Sequence, residues 1–316
     1  MATDPGDLPL GARATVRYRT ADGSATDLIG RVASQDADAI VLVDRAGAEH
    51  RVDRSSVVAA RRVPDVSGGP DPLRAPAGML ERIASQSWHD EVTPLGEWLL
   101  RFAGGVTSRA NSCLALGDPG RPAGAAAEAI AGYAGQHGIP PMAQVVIGSA
   151  EETALRSQGW AQIRNDVDVL VCRLSELCAL GRPTADVELD TDLPQDWFNQ
   201  YLADHPGQAE DARVRRLLTC ADDQFARIHR GDRLVAIGRM SIGRSWATGF
   251  GLWSAPQLRR QGLMRQVLLA LSWWTADRGA RSVQLQVDSA NTGAATAYVR
   301  LGFVRHHGYR YLAPTT

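Results

Sequence analysis

The chain has 316 residues, more than one ordinary domain of about 100–150. Hydrophobic residues at 44% and charged residues at 22% are the balance of a globular protein, and a net charge of -1 with no polybasic block argues against nucleic acid or an anionic membrane surface as the main partner. No stretch approaches the roughly 18 apolar residues of a membrane span, the first residues show no basic-then-apolar leader, and a cytoplasmic location is expected.

Residues 11–63 alternate apolar and polar side chains with period two, beginning at Ala14-Thr15-Val16-Arg17-Tyr18-Arg19. Further strand-like runs occupy 27–32, 39–43, 50–52 and 57–60, with Asp22-Gly23 and Asp44-Arg45-Ala46-Gly47 as turns. Five short strands in so few residues predict an SH3-like or related small barrel over 1–63. Its nine arginines are balanced by acids, so it reads as a protein-binding or oligomerisation module and not as a nucleic-acid reader. Four prolines and two glycines between Pro64 and Pro76 mark a linker, taken over 64–85.

The remainder carries a weak internal repeat and is divided into a first half, 86–184, and a second half, 185–316. In the first, a helix over 123–137 ends at Gly138, a strand covers 142–147, and a helix over 151–158 ends at Gly159-Trp160. In the second, a helix over 263–278 ends at Gly279, a strand covers 282–287, and a helix over 291–301 ends at Gly302-Phe303. The same order twice suggests duplication. Between these runs, a strand at 187–189, helices over 194–203 and 209–220, a hairpin at 224–229 and 233–241, and a strand over 246–253 are expected.

That last strand runs into Arg259-Arg260-Gln261-Gly262-Leu263-Met264-Arg265 and then into an amphipathic helix. Such a turn is an anion site. The first N–H groups of a helix have no internal partner and point outward with the positive end of the helix dipole. Gly262 lets backbone approach a phosphate closely, and Arg259 and Arg260 add charge. Four scattered cysteines (Cys113, Cys172, Cys178, Cys220) lack any C-x-x-C spacing and read as free thiols. His306-His307 reads as a packed or surface pair, and no metal is expected.

The turn resembles the GNAT acetyltransferase pattern [Q/R]-x-x-G-x-[G/A]. Asn291-x-x-Ala294-x-x-x-Tyr298-x-x-x-Gly302-Phe303 is similar to the family's second signature. The resemblance covers 222–312 firmly and 88–221 diffusely. Within the latter, Trp98 to Cys113, with Gly104-Gly105 and Arg109-Ala110-Asn111, looks like the degenerate first half of tandem members. It implies a mixed α/β fold, a central mixed sheet flanked by helices, behind the small all-β module. It implies acetyl-CoA as co-substrate, with the diphosphate on Arg259, Arg260, Gln261, Gly262, Leu263 and Met264. The pantetheine arm would lie along Leu252, Trp253 and Ser254, where the strand should splay from 282–287. Asn291 would hold the pantetheine or the start of the last helix, and Tyr298 would serve as proton donor to the departing thiolate. A backbone N–H of Trp253 or Ser254 is the implied oxyanion donor.

Two departures stand out. Met264 occupies a position where the pattern has Gly or Ala, and the strand over 246–253 has no carboxylate to act as base. Asp288, Glu91 and Glu97 are the alternatives, each more readily read as a solvated or capping acid. The first half has Gly117-Asp118-Pro119-Gly120-Arg121-Pro122 where the second has its basic turn, so one acetyl-CoA site per chain is expected. The resulting expectation is an N-acetyltransferase acting on an amine of a small molecule or a protein. The alternative is an acyl-CoA-sensing regulatory or scaffold protein with little catalysis.

Overall fold

The computed structural model describes residues 8–44, 47–63, 68–88, 90–205 and 212–315. Linker positions 64–67 and the expected helix start at 209–211 lie outside the described residues. The chain divides into two compact units, Met1–Gly68 and Gly69–Thr316.

The first unit is a small antiparallel sheet of β1 (Arg13–Arg19), β2 (Ala25–Gln35), β3 (Ala39–Val43), β4 (Glu49–Asp53) and β5 (Val57–Arg62), with a 3₁₀ turn, Arg54–Ser56, before β5. The order is β4-β3-β2-β1-β5. Period-two alternation turns Ala14 and Val16, Val32, Ile40 and Leu42, Val52 and Ala60 onto one core that also takes Leu8.

The second unit begins inside the segment expected as linker. Pro72–Arg74 forms a 3₁₀ turn, and α1 (Ala77–Ser85) buries Leu80, Ile83 and Ala84. The first half continues with β6 (Glu91–Leu95), β7 (Trp98–Phe102), β8 (Cys113–Leu114), α2 (Ala123–Gln136), β9 (Ala143–Val146), α3 (Ala150–Ser157), β10 (Trp160–Gln162), β11 (Val167–Arg173) and α4 (Leu174–Ala179). The second half contains β12 (Glu188–Asp190), α5 (Gln195–Asp204), α6 (Ala212–Leu218), β13 (Asp223–Arg230), β14 (Arg233–Gly243), β15 (Trp246–Ser254), α7 (Leu263–Asp277), β16 (Ser282–Asp288), α8 (Thr292–Arg300) and β17 (Val304–Pro314).

All these strands share one 12-stranded mixed sheet, in the order β12-β13-β14-β15-β16-β11-β17-β9-β8-β7-β6, with β10 also on β17. The mixed sheet flanked by helices is the fold class expected from the sequence. Each half contains the same unit, in which an antiparallel strand is followed by a helical crossover to a parallel neighbour. These pairs are β8 with β9 across α2, and β15 with β16 across α7. Gly138, Gly159, Gly279 and Gly302, which end the four repeat helices, all have positive φ. The closing strands are exchanged between the halves. β11, from the first, pairs with β16 of the second, and β17, from the second, pairs with β9 of the first.

Candidate active site

The site begins where two parallel strands part. β15 and β16 pair from Trp246↔Ser282 to Gly249↔Leu285 and no further. Beyond that point β15 stays with β14 as far as Ser254↔Ala236, while β16 stays with β11 as far as Asp288↔Val167. Successive backbone groups of a strand face opposite neighbours, so every second N–H and C=O of β15 past Gly249 faces the gap with no strand partner. The cause of the parting is a β-bulge. Phe250 pairs with Arg239 and Trp253 with Ile237, which sets Gly251 and Leu252 together against Gly238. Gly251 has φ +57, a conformation that strains any residue with a Cβ. The buried Trp197 of α5 fastens the bulge, its Nε1–H donating to the Gly238 carbonyl at 3.1 Å while its ring packs against Gly251.

At the end of β15 the chain makes a 3₁₀ turn, Pro256–Leu258, and enters α7 through Arg259-Arg260-Gln261-Gly262. Arg260 has φ +63, unusual for a residue with a side chain, and Gly262 has φ +81. Gly262 is the N-cap and offers no side chain to the first-turn N–H groups; the first helical bond runs from Gln266 N–H to the Gly262 carbonyl. The open donors face solvent beside the exposed Arg259 and Arg260, neither of which has a carboxylate partner among the described residues. Gln261 is held by Arg230, whose Nη1 donates to its Oε1 at 2.9 Å. Leu263 is buried and Met264 half-buried, since α7 turns its apolar face onto β13–β15.

Two further expected residues lie on α8. Asn291 is its N-cap, Oδ1 accepting from Ala294 N–H at 3.1 Å. Tyr298 is the one buried side chain of that helix. Burial pushes its phenol up to about 12, so it is protonated at neutral pH and can donate but not act as a base.

A cavity of about 510 Å³ occupies the gap between β15 and β16. Of the expected residues it is lined by Leu252, Trp253, Asn291 and Tyr298. Ser254 follows Trp253 at the end of β15, and Arg259 to Met264 form the turn beyond it, outside the cavity lining. Of the acids considered as bases, only Asp288 reaches the cavity, and its carboxylate is engaged, Oδ1 accepting from Ala290 N–H at 2.8 Å and from Asn165 Nδ2 at 3.2 Å. Glu91 sits on β6, at the far edge of the sheet, 3.4 Å from His137, and Glu97 accepts from Asp118 N–H. Both acids were expected as possible bases, and the sheet order removes them from the site.

A family model described as "Probable histone acetyltransferase Rv0428c C-terminal" matches residues 78–312. The chain belongs to this family of GNAT-type N-acetyltransferases. The "Uncharacterized N-acetyltransferase YobR" of Bacillus subtilis (strain 168) is 23% identical over 242 residues, covering 73% of this chain and 96% of that protein. Among solved structures, a GCN5-related N-acetyltransferase from Kribbella flavida superposes with a TM-score of 0.58 at 16% identity, over 77% of this chain and 97% of that one. A functionally unknown conserved protein from Staphylococcus epidermidis ATCC 12228 follows with a TM-score of 0.50 at 14% identity, over 74% and 98%.

The first half of this acetyltransferase lacks an open anion site for a visible reason. In the loop before α2, Gly117 N–H donates to Glu151 Oε1 at 2.6 Å, Asp118 N–H to Glu97 Oε2 at 2.6 Å and Gly120 N–H to Asp118 Oδ1 at 2.7 Å. Its own carboxylates occupy the donors. The histidine pair is packed, His306 Nε2 meeting the Ala75 carbonyl and His307 Nε2 the buried Glu81 carboxylate at 2.9 Å each. The cysteines are free thiols, and burial raises Cys113 and Cys172 to about 12.

Sequence reasoning missed several residues of this cavity, Trp88, His205 and Gln286 among them. His205 closes α5 and lines the cavity. Its Nδ1 lies 2.8 Å from the Tyr201 carbonyl, and its ring stacks on Tyr201 at 4.2 Å. A carbonyl only accepts, so Nδ1 carries the hydrogen and Nε2 is the atom left to take a proton. No local motif marks a histidine just past a helix end, and only the tertiary fold brings it to the strands.

Proposed function

We propose that the chain moves the acetyl group of acetyl-CoA directly to an amine within a ternary complex. The observation that carries this is the gap between β15 and β16, which opens past Gly249↔Leu285, with an open helix N-terminus beyond one arm and Tyr298 within it. The diphosphate rests on backbone N–H groups from Arg259 to Met264, with the two free guanidiniums beside it. The pantetheine arm pairs with the gap-facing backbone of Leu252, Trp253 and Ser254, and Asn291 holds the start of α8 against it.

The acceptor must be neutral to attack, whereas an alkyl ammonium has a pKa of about 10.4. His205 Nε2 takes its proton, directly or through water. The amine nitrogen bonds to the thioester carbonyl carbon. Negative charge gathers on oxygen, which a backbone N–H of Trp253 or Ser254, or of the Gly251–Leu252 bulge, receives. The C–S bond then breaks. Tyr298 holds its proton more tightly than a free thiol of about 8.5 does. Its part is therefore a hydrogen bond to the departing sulfur, which leaves as the thiolate, while the proton still on the attacking nitrogen passes to water to give the neutral amide. The N-terminal unit, a meander in which β1 pairs with both β2 and β5, supports an SH3-like module for protein binding or oligomerisation.

Thiol release from acetyl-CoA across a broad panel of amines tests the reading. Wild type should release thiol faster with some amine than by background hydrolysis. Binding of acetyl-CoA without such stimulation would overturn catalysis and leave the acyl-CoA sensor in its place.

A further inference from the structure

Arg109 stands at the apex of the gap. Its loop, between β7 and β8, is built on Asn111, whose Oδ1 accepts from the N–H groups of Ala103 and Gly105 at 2.8 Å each and whose Nδ2 donates to the Thr107 carbonyl at 2.7 Å. From this frame the guanidinium reaches 5.4 Å from the Trp88 ring centre and 5.6 Å from that of Phe250. Its Nη2 donates to the Tyr309 hydroxyl at 2.9 Å, which in turn donates to Gln286 Oε1 at 3.4 Å. Phe250 and Gln286 are the first residues of β15 and β16 past their last pair. Arg109 thus touches one arm of the gap directly and the other through Tyr309.

The cation has no carboxylate partner among the described residues. The buried Glu81 is committed to His307 and Gln144. Asp288 is engaged as above, and Asp204 and the exposed Arg164 are the other charged side chains lining the cavity. Three buried donors lack any protein acceptor: Arg109 Nε, Trp88 Nε1 and Gln286 Nε2. All three residues line this one cavity. Buried donors without acceptors are costly, and three in one place, one of them cationic, call for a ligand with several acceptor lone pairs and a negative charge.

We propose that Arg109, Trp88 and Gln286 bind a carboxylate of the substrate pair. This rests on the acetyl-transfer reading and narrows it to a substrate that carries a carboxylate close to the reacting atoms. The carboxylate belongs either to the acceptor, as in an α-amino acid, or to the acyl chain, as in a dicarboxylic acyl-CoA. A thioester oxyanion alone would use one or two donors and leave the cation-lined set incomplete.

Wild type and Arg109→Gln are compared in two arms. The first gives acetyl-CoA with α-amino acids and with the same amines lacking the carboxylate; the second gives one neutral amine with acetyl-CoA and with succinyl-CoA. Wild type should prefer the carboxylate-bearing partner in one arm by roughly 10- to 100-fold in kcat/KM, and Arg109→Gln should abolish the preference mainly through KM. Absence of preference in both arms, or an equal fall in kcat for charged and neutral partners, overturns the proposal. A readout without turnover keeps the two readings separable. With CoA present, amino acids or succinyl-CoA should raise the wild-type melting temperature more than the amino-acid amides or acetyl-CoA do. If no amine is acetylated, the transfer reading fails while this comparison still decides the carboxylate site. It also decides it should Arg109→Gln not fold.

Discussion

Gly262 offers a substitution whose two consequences, strain and charge, can be separated. It is exposed, has φ +81 and has nothing within 4 Å of the place a Cβ would occupy. Gly262→Ala therefore meets no clash and should cost only the left-handed backbone penalty, about 1–2 kcal/mol of stability. Gly262→Glu adds a negative charge beside the proposed diphosphate. At a separation of about 5 Å a unit charge pair is worth roughly 0.8 kcal/mol in water and 3 kcal/mol at an effective dielectric of 20. Two phosphate charges double this, and each 1.4 kcal/mol or so is tenfold in Kd. Since the turn is exposed, the lower part of the range applies, and Gly262→Glu should weaken acetyl-CoA binding by at least about tenfold. Calorimetric titration measures the affinity and thermal unfolding the stability. The Glu variant should lose affinity beyond the Ala variant at similar stability, and the difference should shrink with salt, because the Debye length is only about 8 Å at 0.15 M. Equal affinities for the two variants would place the diphosphate elsewhere and refute the reasoning.

Other outcomes follow from the same geometry. Tyr298→Phe should lower kcat by about 10- to 100-fold while acetyl-CoA binding is kept, because the hydroxyl acts only on the leaving sulfur; steady-state kinetics beside a binding titration checks this. His205→Gln should lower kcat/KM by roughly 100-fold while acetyl-CoA binding is kept, and an unchanged kcat/KM would exclude it as base. Glu152 is pushed upward by burial but held low overall by Gly148 N–H, Arg156 and Arg310, so its stabilisation is complete above the unfolded value of about 4.3 and fades as pH falls through the lower folded value. Glu152→Gln should therefore cost about 1–3 kcal/mol near neutrality and flatten acid unfolding followed by circular dichroism. Residues 69–184 and 185–316, produced separately, should each fail to fold cooperatively, because each lacks the strand that completes its sheet; independent folding of either would contradict the exchange.

The repeat was legible because helix ends punctuate it. Gly138, Gly159, Gly279 and Gly302 each close a helix, and their spacing survives in the chain. The open turn before α7 was legible for a similar reason, since Gly262 and its neighbouring arginines are contiguous in sequence. The second part of the expected linker was not, because α1 opens on prolines and its helical face, Leu80, Ile83 and Ala84, is short. The titratable lining of the cavity was not legible either. Asp288, Glu91 and Glu97 were weighed by their place in the sequence, whereas access to the gap depends on sheet order, which put Glu91 at the far edge. His205 and Arg109 reach the same cavity from segments about a hundred positions apart, a relation no local pattern contains.

The strand exchange explains how a cleft between β15 and β16 comes to have walls from both halves. Had β17 returned to β16, as the local order of the second half suggests, Tyr309 would lie within its own half and the first half would join only through its loops. Instead β11 intervenes, and β17 is carried across to β9. Tyr309, with its hydroxyl between Arg109 of the first half and Gln286 of the second, then becomes the link between the two. The first half has closed its own loop before α2 with Glu97, Glu151 and Asp118. What it retains is the Asn111-framed loop that projects Arg109 to the apex. The two halves thus differ in what they bring: the second keeps the open helix N-terminus beyond the end of β15, and the first furnishes the cation at the apex of the gap.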